Sequence, residues 1–401
     1  MDNRNERHFG EPKKLNTKIK HHLLTNTLKT SLYIANSLCI KYKEKKIADD
    51  IYTYIDLFAG SGVFDDGSKG SPILAADVLS EHINSGKSNF GQIQHVCTEK
   101  DSESYKSLAE LINNYPNKSI SFYHGQGSWE SYKDDIGALL KKSGWGFIFA
   151  DPFSTELDIE SLKQTLKNYS NLKDILVFFN FNTLARQDGR RYIQDIDRIC
   201  KTLGIKEEEF LDSDDNFSVI FENKLKEHFK NLKKFVIGVG FPTTVKGELP
   251  NADYFYLIFS TNTPVLVDSF LESYEQMLDE HTEYAGMKQL SIFGHPDENY
   301  IYEVLEEHFQ NGCSLFDLYK HITDKFLSWK ELTKTLKKVP TLKNVIDILN
   351  KFQAQGDIKI IADSKFIYQQ NSKNGYKDDL KYNEAKNSAE NLKSITIKLN
   401  R

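Results

Sequence analysis

What this 401-residue chain lacks narrows its reading first. Its four cysteines, Cys39, Cys97, Cys200 and Cys313, are scattered, and no two form a CxxC pair. That spacing disfavours a zinc ribbon, a redox dithiol and an extracellular disulfide scaffold, and it suits a reducing cytoplasm. No apolar run approaches the roughly 20 residues that span a bilayer, so no membrane partner is expected. The stretch from Met1 to Lys18 is polar and lacks the apolar segment of a secretion signal. None of the eleven histidines stands in an HxH or HExxH spacing, so no metal site is predicted. Walker A, GxGxxG and PD-(D/E)xK patterns are also missing, as are internal repeats.

What is present is a foldable composition. Hydrophobic residues make up 39% of the chain and aromatics 12%, which excludes wholesale disorder. The length suits two to three domains. The net charge of −5 is an average over unlike segments. Residues 1–46 carry eleven Lys/Arg against four Asp/Glu, and residues 371–401 carry seven against four. The ends are therefore +7 and +3, and the body between them is −15. Basic ends on an acidic body are compatible with DNA or RNA as a partner.

From Asn16 to Lys43, the set Leu24, Leu28, Leu32, Ala35 and Leu38 steps by three and four. It predicts an amphipathic packing helix with His22, Lys29 and Asn36 on its polar face. Strands are predicted at 51–58, 93–98, 119–124, 146–150 and 174–181, each followed by a helical segment or a loop. Ser71 and Pro72 read as the N-cap and first residue of the helix after the first strand. The alternation from 51 to 181 predicts βαβ units on a parallel sheet. Two further strands, 234–241 and 253–260, are too closely joined for a crossover and are expected to be antiparallel. Five parallel steps closed by a hairpin predict an α/β, Rossmann-like, doubly wound class I methyltransferase fold. That domain is expected over 47–263, with a helical insertion at 186–232 and a helical linker at 264–310.

Beyond it, helices at 315–323, 328–338 and 341–355 and a hairpin of 358–361 with 366–368 predict a C-terminal winged-helix-like module over 311–370. Thr341 is the expected cap of the last helix. The tail from Asn371 is Asn- and Lys-rich and is expected to be flexible, with a short strand at 395–399.

The candidate site lies where strand ends meet. In Asp56-Leu-Phe58-Ala59-Gly60-Ser-Gly62 the glycines let a ligand approach the backbone at the carboxyl end of the first strand. Glu99 ends the second strand, where a carboxylate can accept from vicinal ribose hydroxyls. Gln126 follows the third and can both donate to and accept from an adenine edge. Asp151-Pro152-Phe153 follows the fourth. A carboxylate there can orient an amine, and an aromatic ring can stack on a base. Asn180, Asn182 and Arg186 follow the fifth strand as second-tier substrate candidates. Lys334, Lys337, Lys338 and Lys343 are the candidate nucleic-acid contacts of the winged helix.

The segment YIDLFAGSGVFDDGSKGSPILAA, from Tyr54 to Ala76, resembles the three-Cys-motif partner proteins (TcmP). Those proteins show an IDLFAGxG turn, an acidic-glycine loop and a GSP that opens the next helix. Asp151-Pro152-Phe153 is similar to their DPFG segment, with Ser154 in place of the glycine. The resemblance implies a class I fold that binds S-adenosylmethionine (SAM), and a separate companion protein carrying a three-cysteine motif. It implies cofactor contacts from Asp56, Gly60, Gly62 and Glu99, and substrate contacts from Asp151 and Phe153. The expected function is a cytoplasmic SAM-dependent methyltransferase acting on nucleic acid or a nucleic-acid-linked substrate. A second reading is a non-catalytic partner that binds SAM or docks the companion. A third is a component of a restriction or phage-defence system.

Overall fold

The structure is a computed structural model. It describes residues 15–46, 48–152, 157–167, 173–179, 200–201, 203–212, 224, 227–230, 232–241, 255–284, 298–323, 326–327, 341–372, 375–381, 385–386 and 389–400. The expected helix over 328–338 and most of the insertion over 186–232 lie outside the described residues.

Five strands form the parallel core: β1 (Ile51–Asp56), β2 (Gln92–Glu99), β3 (Ile120–Gln126), β4 (Trp145–Ala150) and β5 (Lys173–Phe179). Between them run α2 (Ser71–Asn84), α3 (Ser102–Asn113), α4 (Lys133–Lys142) and α5 (Ile159–Leu166). The strands β6 (Phe235–Phe241) and β7 (Phe255–Thr261) close the sheet, and the two-residue β9 (Phe326–Leu327) extends it. The order is β3-β2-β1-β4-β5-β7-β6-β9. β7 runs antiparallel to both β5 and β6, as their short connection requires. The predicted Rossmann-like arrangement of the seven main strands is therefore present. β4 is buried at every residue, which explains its unbroken apolar run; helices cover both faces of such a strand. In register, Asp56 stands opposite Cys97 of β2 and Phe149 of β4, so the three strand ends lie within two residues of one another.

The predicted N-terminal helix is α1 (Leu15–Glu44), thirty residues long. Leu24, Leu28 and Leu32 are buried against the sheet and α2, as their spacing requires. α1 is also pinned by polar contacts. The Ser31 hydroxyl donates to Asp174 Oδ2 at 2.7 Å, and Thr261 of β7 donates to Asp174 Oδ1 at 2.6 Å. Burial raises the Asp174 carboxyl above its ordinary range, and the nearby charge of buried Lys233 opposes that rise.

After β7 come α6 (Pro264–Tyr284), α7 (Glu298–His308), α8 (Leu315–Thr323) and α9 (Leu342–Gln355). Thr341 caps α9 as expected, in a capping box with Asn344, and Gly356 ends the helix at φ +87°. The expected hairpin is not formed. Asp363-Ser-Lys leads into a 3-10 turn at Ser364–Phe366, which carries the chain away from β10 (Ile358–Ile361). β10 pairs instead with β13 (Thr396–Leu399), which also pairs with β8 (Cys313–Ser314). β11 (Ile367–Ser372) pairs with β12 (Gly375–Leu380). The tail from Asn371, expected to be flexible apart from a strand at 395–399, supplies that strand as β13 and also β12 and the short helix α10 (Ala389–Lys393). Its sparse apolar residues, Leu392, Ile395 and Ile397, are fully buried and hold it.

Buried Asp268 of α6 ties this region to the sheet domain. Its Oδ1 accepts from the Tyr319 hydroxyl at 2.6 Å and from the Leu342 backbone N–H at the start of α9, at 2.7 Å. Asp268→Ala strands two buried donors and is expected to cost about 2–4 kcal/mol. Urea unfolding checks this, and an unchanged midpoint would contradict it.

Candidate active site

The site is built on the turn that leaves β1. Its backbone N–H groups are shared among neighbouring strand ends: Leu57 donates to Phe149 O at 3.0 Å and Ala59 to Thr98 O at 3.0 Å. Gly60 donates to Glu99 Oε2 at 2.7 Å. Farther on, Gly70 N–H returns to Gly62 O at 2.8 Å and closes the acidic loop. Gly60 and Gly62 have φ of +62° and +78°, which L side chains rarely adopt. A Cβ on Gly62 would also lie 3.1 Å from Leu111 Cδ1.

Asp56 is completely buried. Its Oδ1 accepts from Phe58 N–H at 3.2 Å and its Oδ2 from the Tyr54 hydroxyl at 3.2 Å. Ser71 is not the N-cap of α2; Gly70 holds that place, and Ser71 opens the helix beside the carboxylate, whose charged form its hydroxyl favours. Burial lifts the Asp56 carboxyl to about 7; these hydrogen bonds oppose the rise and the charge of Asp151 adds to it. In this geometry Asp56 shapes the turn from inside.

Glu99 braces the same turn. Besides Gly60 N–H it accepts Asp101 N–H on Oε1 at 2.8 Å. Partial burial raises its carboxyl, and these two backbone donors pull it down. Each oxygen keeps a second lone pair for another donor. Gln126 sits opposite Glu99 in register and is exposed, and its carbonyl accepts from the Tyr132 hydroxyl at 2.8 Å. Phe58 is half-buried and packs on the cluster around Ile55 and Trp129, while Ala59 is buried beside Cys97.

Asp151 follows β4, with Pro152 buried behind it. Its Oδ2 accepts from Lys20 Nζ of α1 in a largely shielded ion pair. The same Nζ lies 4.1 Å from the centroid of the Phe178 ring of β5. Sequence reasoning missed Lys20. The signal was its place one turn before Leu24, in line with Leu28 and Leu32: a lysine on an apolar stripe needs a buried partner. Phe153, Asn180, Asn182, Arg186, Lys334, Lys337 and Lys338 lie outside the described residues. Lys343 is exposed on α9, away from the sheet edge. Among the described residues no cluster could hold a metal ion, and no helix is long and apolar enough to cross a membrane.

No family model matches the sequence, and neither does any characterised relative. Solved structures give distant likenesses. A Legionella pneumophila protein of the DUF519 family is 15% identical, with 68% of this chain and 94% of that chain covered and a TM-score of 0.38. Human methyltransferase-like protein 13, in complex with SAH, is 10% identical over 65% and 92%, with a TM-score of 0.32. The B. subtilis tRNA methyltransferase TrmK is 9% identical over 75% and 91%, at 0.25. The fold assignment rests on the strand order.

The raised carboxyl of Asp56 gives a signed pH effect. Ordinary aspartate titrates near pH 4, and here the folded value is about 7. Between those limits the folded chain holds a proton that the unfolded chain has released. This group's contribution to stability therefore falls as pH rises from about 4 to 7. Asp56→Asn removes that slope. Its urea midpoint should drop less than the wild-type midpoint between pH 5 and pH 8, and equal drops would contradict the assignment.

Proposed function

We propose that this chain is a SAM-dependent methyltransferase of class EC 2.1.1. One observation carries the reading: the glycine turn leaves the carboxyl end of β1 beside the β1/β4 junction, where the strand order reverses, and Glu99 braces it from the end of β2 on the other side. Doubly wound sheets bind their ligands at that switch point. The antiparallel β7 between β5 and β6 is the arrangement of class I methyltransferases, an analogy at the level of fold.

The residues present fit the cofactor. Gly60 and Gly62 take the positive φ values of the turn without strain, which holds its backbone at the carboxyl end of β1. Glu99 would accept the ribose hydroxyls on its free lone pairs, and Gln126 would face the adenine edge. SAM would supply an electrophilic methyl group. The chain's own task is alignment, with Asp151 orienting an amine acceptor and water kept away from it.

The finer readings are proposals as well. The TcmP resemblance between Tyr54 and Ala76 supports membership of that family, a three-cysteine-motif companion and a cytoplasmic setting. The β10-β13-β8 order beside α8 and α9, with β11–β12 as the wing, supports a winged-helix-like module. Exposed Lys343 and the basic chain ends support nucleic acid, or a nucleic-acid-linked molecule, as the substrate. The second reading, a non-catalytic docking partner, is favoured by the Asp151–Lys20 pair, which fills the acceptor position.

Calorimetry with SAM tests the proposal. The wild-type chain should bind, and Glu99→Ala should bind at least about tenfold more weakly, the loss of one charge-assisted hydrogen bond or more. A wild-type chain that binds no SAM would overturn the reading. Methyl transfer from labelled SAM without the companion would exclude the docking alternative.

A further inference from the structure

Lys20 stands in an unusual environment. Its side chain is 12% exposed and that of Asp151 22%. Long lysine side chains ordinarily keep the ammonium in water. Here the lost hydration is replaced by one carboxylate oxygen and one aromatic face. Both are strong partners for a cation in a shielded place. They come from neighbouring strands: Ala150 stands opposite Val177 in register, and Asp151 and Phe178 are the next residues on each. The sheet alone thus builds the two walls, and Lys20 enters from α1, 131 residues away in sequence.

We propose that the Asp151–Phe178 recess is an ammonium-binding site, filled in the resting chain by Lys20 and able to take a primary alkylammonium group in its place. The lysine is joined to the helix by four methylenes, so it can leave by rotamer changes while α1 stays packed. A neutral nucleobase amine could donate to Asp151 but would forgo the attraction between a cation and the ring face. The recess therefore favours an amine that is charged at neutral pH. Taking that amine as the methyl acceptor rests on the methyltransferase reading; the binding site does not.

Refilling the vacated site tests the proposal. Lys20→Ala opens the recess, and Lys20→Ser opens the same space should the alanine variant fold poorly. Thermal midpoints are measured with n-butylammonium chloride, with sodium chloride at equal ionic strength, and with cytosine as a neutral nucleobase amine. Butylammonium at about tenfold above its Kd should raise the midpoint of the opened variant by roughly 2 °C or more. It should leave Lys20→Met, whose uncharged stem still covers Phe178, and the double variant Lys20→Ala with Asp151→Asn unmoved. Cytosine should have no effect. The proposal is overturned if butylammonium acts no more strongly than sodium chloride, if all variants respond alike, or if cytosine alone protects. The experiment contains no SAM. A chain that binds butylammonium but not SAM would lose the methyltransferase reading and keep this one.

Discussion

The backbone just past β1 has to satisfy its own polar groups in a place that water does not reach. It does so by lending its N–H groups to both neighbours, to Phe149 of β4 and to Thr98 and Glu99 of β2. An unpaired buried amide would be costly, so this turn has little freedom to relax elsewhere. The rest of the site follows from it. The ends of β1, β2 and β4 are held together, Asp56 is drawn inside, and Glu99 is fixed at the rim. The return bond from Gly70 to Gly62 then sets where α2 begins.

The long first helix completes the arrangement as a strut laid along the sheet. Lys20 engages Asp151 beyond the carboxyl end of β4, while Ser31 engages Asp174 near the amino end of β5. Those helix residues are about 16 Å apart along the axis. A strand of six or seven residues spans roughly 20 Å. One helix is therefore fastened near both ends of the parallel core, with a Leu stripe between the fastenings. The two polar contacts, not the stripe, determine where along the sheet it stops.

Much of this was legible in the sequence. Runs rich in β-branched and aromatic residues ending at Asp56, Glu99 and Asp151 pointed to parallel strands and to one edge where acidic residues gather. The DLFAGSG turn carried its own geometry, because Gly60 and Gly62 stand where side chains would be strained. Pairings between distant segments were not legible. Nothing local links Lys20 to Asp151, or Ser71 to Asp56, since helix spacing says which face is buried but not against which residue. The C-terminal pairing failed for a related reason. The alternation of Ile395, Ile397 and Leu399 marked a strand, but Ile358–Ile361 has two candidate partners, and the one nearer in sequence, 366–368, is the one a local reading selects.

The place of β13 has a consequence for how the chain is assembled. It lies between β10 and β8, so residues 396–399 form the middle of a sheet whose outer members precede them by about 35 and 80 residues. During synthesis, β8 and β10 emerge with no strand between them and with their polar edges unpaired. The small sheet cannot close until the segment carrying Ile395 and Ile397 has left the ribosome. Contacts of such long sequence separation form slowly, because the intervening chain must be ordered first. The seven main strands of the Rossmann-like core, complete at β7, have no such wait. The two halves of this protein thus differ in when they can fold, with the C-terminal half waiting for residues 396–399.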